Sequence, residues 1–424
     1  MRKKMTAVLI LILIPLLFSG CYDSVEINDY AYVTLMGIDK GVSDKLRLTF
    51  QVPQFTEVSG GAGGGGFDAK GEEKEDKENF SIDTPSLLSG IAAVNANIPK
   101  LLNFLHLKAI VVSEELAQSG YMAEFLVPLT RYRQIRRSTN IIICKGSAQE
   151  FVKAAKPYLG AIVTETLEEL IERYKYTGFY PELNLGLLAD QMKSSYTQAL
   201  GIYGALNTGE NFKDEGPEYG GGYKIPGDYF AGDTPRNGGQ EIELLGTAVF
   251  DGGKMVGKLT GFESQMVSLI WGHLKRTVFT IPDPKSPEHI IPIEIKEFES
   301  PKVKVDTKSE KPHIEVKLSV EGDMTAIQSG ENYEHDDDII EEAFEQYLKE
   351  NIQKTFIKGQ ALKVDTFRFG ERAVRNFLTI PEWEEYNWLE KVNEATLNVE
   401  VDFTIRRTGR QHESRPIRSS EGVE

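Results

Sequence analysis

Cysteine is nearly absent from this 424-residue chain, which has only Cys21 and Cys144. A disulfide-stapled scaffold is thereby excluded, because one bridge at most could form. Histidine is scarce as well. The six, at positions 106, 273, 289, 313, 335 and 412, lie singly and far apart. None stands in HExxH or another short ligand spacing, which argues against a zinc site. Neither GxSxG nor GxxxxGK[ST] occurs, so nucleophile-elbow hydrolysis and P-loop phosphate chemistry find no footing. Positive charge is in deficit: 48 Lys and Arg stand against 64 Asp and Glu, a net −16. Loss of residues 1–20, with Arg2, Lys3 and Lys4, would take it to −19. Such a surface repels phosphate backbones, so no nucleic acid is expected among the partners. It also repels anionic headgroups, so membrane attachment must come from something other than overall charge. What remains is 40% hydrophobic, enough to bury real cores in two or three domains.

The one long apolar run is N-terminal. Arg2, Lys3 and Lys4 precede "MTAVLILILIPLLF", and Ser19, Gly20 and Cys21 follow it. Residues 5–22 carry no charge, a length that also admits an uncleaved membrane anchor. Pro15 and the small-small-Cys ending favour an exported leader cut before Cys21. The pattern resembles the bacterial lipobox, in which the cysteine thiol receives a diacylglyceryl group and becomes the mature N-terminus. Two acyl chains give stable anchoring where one is marginal. With Cys21 lipidated, Cys144 has no partner, and "NIIICKG" reads as a buried strand holding an inert thiol.

Along the mature chain, "YAYVTLMGID" reads as a strand closed by Gly37, and "KLRLTFQV" as a second. Gly61, Gly63 and Gly66 literally satisfy GxGxxG. A polar run rather than a helix follows them, so the stretch reads as a flexible surface loop. Thr84 is placed to cap a helix with Pro85 at its first position and Leu87, Ile91, Val94 and Ile98 along one face. "LKAIVVS" is a short buried strand. "EELAQSGYMAEFLVPLTRYRQIRR" reads as helical, interrupted at Gly120 and Pro128, with further helices around 148–156, 163–175 and 184–193. A turn-rich, aliphatic-poor stretch marks a boundary near 205. Beyond it "ELLGTAVFDGGKMVGKLTG" is the clearest hairpin, followed by a helix near 261–271. "IPIEIKEF", "KVKVD" and "HIEVKLSV" alternate as strands. "DDDIIEEAFEQYLKENIQKTFIKG" is a long amphipathic helix striped by Ile340, Phe344, Tyr347, Leu348, Ile352 and Phe356. "ATLNVEVDFTI" alternates without a slip.

The expected fold is therefore α+β: a multi-domain mixed α/β body whose C-terminal domain packs an antiparallel sheet against long helices. The expected divisions are a leader over 1–20, a mixed α/β domain over 21–204, a middle domain with the hairpin over 205–286, a C-terminal α+β domain over 287–408 and a disordered tail over 409–424.

Candidate chemistry is thin. His335 with Asp336, Asp337 and Asp338 reads as a helix N-terminus decorated with carboxylates rather than a calcium loop. Cys144 lies among Ile141, Ile142 and Ile143, poor surroundings for a nucleophile. Arg131, Arg133, Arg136 and Arg137 form a basic patch that could face lipid phosphates or a partner, with pairing to the chain's own carboxylates the expected use. Trp383 and Trp388 read as core anchors. No catalytic, cofactor-binding or metal-ligating residue is expected.

"GCYDSVEINDYAYVTLMGIDK" resembles the start of the mature Ger(x)C spore-germination lipoproteins. Gly20, Cys21, Asp23, Glu26, Ile27, Gly37, Ile38 and Asp39 match the usual opening, with Tyr22 in place of a tryptophan. The resemblance continues through "LHLKAIVVSEELAQSG", "RYRQIRR", "GTAVFDGGKMVGKLTGFES", "IPEWEEYNWLEKV" and "VDFTIRRTGR". It implies lipidation at Cys21 and residence on the outer face of the inner spore membrane. It also implies a non-catalytic C-subunit role in a nutrient germinant receptor, assembled with membrane A and B subunits. The alternative is a solute-binding lipoprotein of a transporter, which would need two lobes of βαβ units. A secreted hydrolase would need a nucleophile and base that the residues do not supply.

Overall fold

The computed structural model describes residues 26–53, 77–159, 163–216, 223–324, 326–333, 336–407, 418–419 and 422–423. The leader with Cys21 and the glycines of the GxGxxG stretch lie outside the described residues, as does most of the expected tail. Within that tail, residues 418–419 pair with 422–423.

Strands β1 (Tyr30–Tyr32) and β5 (Leu101–Asn103) form a small parallel ladder. β2 (Leu35–Lys40), β3 (Leu46–Pro53), β4 (Lys77–Thr84), β6 (Ala109–Ser113), β7 (Asn140–Cys144), β8 (Leu200–Leu206), β9 (Ile242–Asp251) and β10 (Lys254–Leu259) build one sheet. Its order is β10-β9-β8-β7-β6-β2-β3-β4. The four central strands, β2, β6, β7 and β8, run parallel, and both flanks are antiparallel. Parallel strands are covered on both faces, which is why "AIVV" and "IIIC" are unbroken apolar runs. Ala109, Val111, Ile142 and Cys144 pack with Phe151 and Val152 of the helix Ala148–Ala154. Ile110, Val112, Ile141 and Ile143 point the other way, to Ile91, Leu126 and Leu188 on the helices Leu87–Asn95, Met122–Leu129 and Leu185–Gln191.

The Gly-Ile-Asp of β2 joins the sheet to the first of these helices. A Cβ on Gly37 would stand 3.1 Å from both Ala148 O and Val152 Cγ2. Gly37 therefore lies inside the strand rather than closing it, because the helix packs there against bare backbone. Two residues on, the buried Asp39 carboxylate accepts the amides of Ala148 and Gln149, each at 2.8 Å. These are orphan donors of the helix's first turn. Burial raises the Asp39 pKa against the lowering effect of those bonds.

Several expectations change. The first helix is capped by Ser86, which accepts the Ser89 amide, while Thr84 ends β4. The helical reading of 114–137 resolves into Glu114–Gln118, a break with Gly120 at φ +84°, and Met122–Leu129 with Pro128 in its last turn. Residues 131–137 are not helical, since proline cannot continue the hydrogen-bond ladder. The expected middle domain does not stand apart: β8 straddles residue 205, and the β9–β10 hairpin extends the same N-terminal sheet. A composition shift marks a surface excursion as readily as a domain boundary, and here the chain returns to pair with β8.

The C-terminal region is an α+β layer. β11 (Thr277–Pro282), β12 (Ile290–Phe298), β14 (His313–Met324) and β13 (Lys302–Asp306) are antiparallel in that order. β15 (Thr396–Arg407) pairs with β14 in parallel. The sheet is thus mixed, because period-two alternation specifies which face is buried and leaves strand direction open. Helix Asp337–Ala361 buries Ile340, Phe344, Leu348, Ile352 and Phe356 against it, with Tyr347 half-buried. Its Glu345 and Glu341 carboxylates accept the edge amides of Phe403 (2.9 Å) and Ile405 (2.7 Å). They occupy donors that an open strand edge would leave to another chain. Trp383 and Trp388 are core residues, 3% and 1% exposed.

The two regions meet at Asp365, which is buried. Its carboxylate accepts Phe369 N at 3.0 Å, Gly370 N at 2.7 Å and the Trp388 indole at 2.9 Å. Its own amide donates to Gln198 Oε1 at 2.9 Å, and Gln198 Nε2 reaches Asp251 Oδ1 at 2.9 Å. Gln198 leads into β8 and Asp251 ends β9, so the C-terminal loop is tied to the N-terminal sheet. Trp383 adds a bond to Ser195 Oγ at 3.0 Å. Burial raises the Asp365 pKa.

Two substitutions measure these ties. Asp365→Ala leaves three donors unsatisfied in the interior and is expected to cost about 3–5 kcal/mol, read as a lowered midpoint in urea unfolding. Asp39→Ala removes the acceptor at one helix start, at about 1–2 kcal/mol; a midpoint equal to that of the parent protein would refute its capping role.

Candidate functional site: a basic loop beside an apolar cleft

The loop 131–137 is built to present charge. Ile135 is buried, and Gln134 Oε1 accepts the Phe104 amide at 3.1 Å. The Tyr132 ring meets Phe104 edge-on at 6.0 Å between centroids. Amides of Arg131, Tyr132 and Ile135 close successive turns on Pro128, Leu129 and Tyr132. With the intervening residues held down, all four arginines are exposed. Arg137 pairs with Asp190 at 2.8 Å. Arg131, Arg133 and Arg136 have no side-chain hydrogen bond or ion pair among the described residues. Among the described residues the expected pairing with the chain's own carboxylates thus holds for Arg137 alone. Arg131, Arg133 and Arg136 have no carboxylate within ion-pairing distance among the described residues, in a molecule whose surplus charge is negative.

Arg131 also edges a cleft of 390 Å³ between helices Leu87–Asn95 and Met122–Leu129. Met36, Ile38, Leu46 and Leu48, all at most 2% exposed, line it on the sheet side. Phe125 and Leu129 line one wall and Leu87 another, while Ser86, Leu88 and Glu124 reach its rim. Glu124 is exposed and, like Arg131, makes no side-chain hydrogen bond or ion pair among the described residues.

The remaining candidates are dispersed. Cys144 is fully buried, its Sγ 3.8 Å from Gly146 O, and burial pushes its thiol pKa well up, so no thiolate is available. The His289 ring contacts Ser286 Oγ at 3.0 Å and that of His313 contacts Thr396 Oγ1 at 2.8 Å. His106 packs on Tyr32 and His273 on Trp271. His335 and His412 lie outside the described residues. Among those described, no group of three or more His, Cys, Asp and Glu is placed to hold a metal. Asp336 precedes the long helix and pairs with Lys285 at 2.8 Å. Sequence reasoning passed over the cleft because its lining comes from three separated segments, none with a distinctive pattern of its own.

Comparison with known proteins agrees with this architecture. The spore germination protein N-terminal domain matches residues 23–203, and the spore germination B3/GerAC like, C-terminal domain matches 245–409. Spore germination protein KC of Bacillus subtilis (strain 168) is 25% identical over 96% of either chain. Spore germination protein YndF of the same organism is 23% identical over 96% of this chain and 98% of its own. The crystal structure of the GerBC protein superposes with a TM-score of 0.52 at 18% identity, covering 88% of this chain and 96% of that one, which establishes a shared fold. With both halves matched in order and the fold shared, the chain belongs to the Ger(x)C family of spore germination proteins.

Proposed function

We propose that the protein is the lipid-anchored C subunit of a nutrient germinant receptor, held on the outer face of the inner spore membrane through Cys21. It acts by binding rather than catalysis, assembling with the membrane A and B subunits. The observation that carries this reading is the ordered match of both family domains along the chain. The Ser19-Gly20-Cys21 ending of the leader supports the anchor. Among the described residues no helix is long and apolar enough to cross a membrane. Anchoring confines the search for partners to the membrane plane and raises their effective concentration. Arg133 and Arg136, exposed and without an ion pair among the described residues, are the contact we assign to an acidic segment of a membrane subunit. Opposite charge there steers association and fixes orientation. The transporter-type solute-binding reading requires a second βαβ lobe, whereas the C-terminal layer is a mixed sheet under one long helix.

Cys21→Ala is expected to leave the spore membrane fraction and to slow germination; normal membrane retention, assembly and germination would overturn the anchored reading. For the contact, the tagged protein is crosslinked in spore membranes and co-purifying proteins are identified by mass spectrometry. The parent protein should recover a permease-like subunit and a second membrane subunit. Arg133→Glu with Arg136→Glu should recover both several-fold less at unchanged thermal stability, and equal recovery would remove the loop from the interface.

A further inference from the structure

We infer that the pocket between the C-terminal end of helix Gly261–Trp271 and the Ser300–Pro301 link from β12 to β13 is a binding site for a carboxylate group, gripped by the Arg368 guanidinium. The inference goes beyond the receptor reading, does not depend on it, and is tested on the isolated protein.

Three observations carry it. First, the half-buried Arg368 keeps donors that nothing in the fold satisfies. Its Nε and Nη2 are shielded from solvent and bonded to no acceptor among the described residues. Buried donors are almost always matched, so a charged one kept unmatched calls for a partner from outside the fold. Burial pushes the Arg368 pKa down only to about 10, so the group stays cationic at neutral pH. The carboxylates near enough to influence it are otherwise engaged or turned away. Asp365 is committed to its own turn and to Trp388, and Glu182 accepts the Tyr174 hydroxyl at 2.9 Å. Glu371 is exposed, with no ion pair among the described residues. Second, a neighbouring donor is orphaned as well. Arg368 lies over the Trp271 ring, and Trp271 Nε1 is buried without an acceptor among the described residues. The ring face and the negative end of the helix account for a cation here. Neither gives Nε or Nη2 an acceptor in this structure. Held by stacking rather than by bonds, the guanidinium can tilt to bring these N–H groups to a group entering the pocket. Third, the space suits an ion. The pocket holds 180 Å³ and is lined by Trp271, His273, Ser300, Arg368, Glu371 and Arg372. That is below the roughly 300 Å³ at which sites for larger organic ligands begin, and its walls are polar. Arg368 and Arg372 against Glu371 leave one positive charge, which favours a monoanion over a phosphate dianion. A carboxylate sets two oxygens against two parallel N–H groups of the guanidinium fork. A free ion and an acidic side chain on a polypeptide present the same group, and the test separates them.

The test uses the full-length chain in detergent micelles, with nitrogen-15 in the indoles of its three tryptophans. Trp271 is assigned as the NMR signal lost in Trp271→Phe. The probes are sodium formate, aspartate capped at both ends, and sodium chloride at matched ionic strength. Formate should move the Trp271 signal saturably, and chloride should not. The other two indole signals, from groups bonded to Ser195 and Asp365, should stay in place. Capped aspartate bound at least as tightly as formate assigns the site to an acidic side chain, and tighter formate assigns it to a free ion. Arg368→Gln should weaken carboxylate binding by about tenfold or more, the factor corresponding to loss of one charge-assisted contact. Unmoved signals from the other two indoles show that the Asp365 turn survives the change. Where Gln disturbs that turn, Arg368→Lys keeps the charge and should still bind several-fold more weakly for want of the fork. No saturable shift with either carboxylate overturns the inference, as does an equal response to chloride or undiminished binding in the variants. Receptor assembly is read separately by crosslinking in spore membranes, so a negative result here leaves it untouched.

Discussion

The carboxylate of Asp365 is the constraint on which the arrangement of the two regions depends. An acidic group buried so completely must be matched by donors, and here two backbone amides and the Trp388 indole converge on it. Matching them fixes the backbone of 365–370, including the positive φ of Arg368 at +56°. Arg368 is thereby laid over the Trp271 ring, 3.5 Å from its centroid. A Cβ on Gly370 would stand 2.0 Å from Tyr196 O, so this turn closes directly on the segment leading into β8. The Asp365–Gln198–Asp251 chain of bonds then makes the C-terminal layer and the N-terminal sheet one body.

Asp39 repeats the device at smaller scale. In both places an acidic residue in an acid-rich protein serves as an internal acceptor for backbone donors, those of its own turn for Asp365 and those of a separate helix for Asp39. The Gly-Ile-Asp signature thus has a physical account: glycine admits the helix, isoleucine fills the opposite core and aspartate satisfies the helix start. Its role in this structure is architectural. The same holds for the paired tryptophans, whose ring nitrogens are committed to Asp365 and Ser195.

In the receptor-subunit reading proposed above, function resides in surfaces. The scaffold's polar interior is occupied with holding itself together, whereas the loop 131–137 exposes four arginines to solvent and, among the described residues, pairs only one. A neighbouring cleft with a core floor and a rim of both charges lies beside it. Their common origin is the end of helix Met122–Leu129, where Pro128 stops the ladder and turns the chain outward. One local break therefore creates both the exposed basic rim and the open side of the cleft.

The α+β class, the helix Gly261–Trp271, the stripe of Asp337–Ala361, the inert Cys144 and the two tryptophan anchors were legible in the residues. Each rests on local periodicity or local chemistry, which sequence carries directly. The family resemblance was legible for the same reason, through short ordered blocks. The parallel direction of β15, the merging of the β9–β10 hairpin into the N-terminal sheet, and the loss of helix after Leu129 were decided otherwise. Strand direction and sheet membership depend on which segments meet after the chain has turned back, and many pairings satisfy one alternating pattern. The junction and the cleft are further from local reading still. Asp365 finds Gln198 from 167 positions away, and Glu124 and Arg131 acquire Met36 and Leu48 as neighbours only once three separate segments pack together. Sequence alone determined which segments could bury a face and which residues could carry charge. Tertiary structure alone decided which charges would be matched inside and which would be left facing solvent, because that depends on distances no single segment contains.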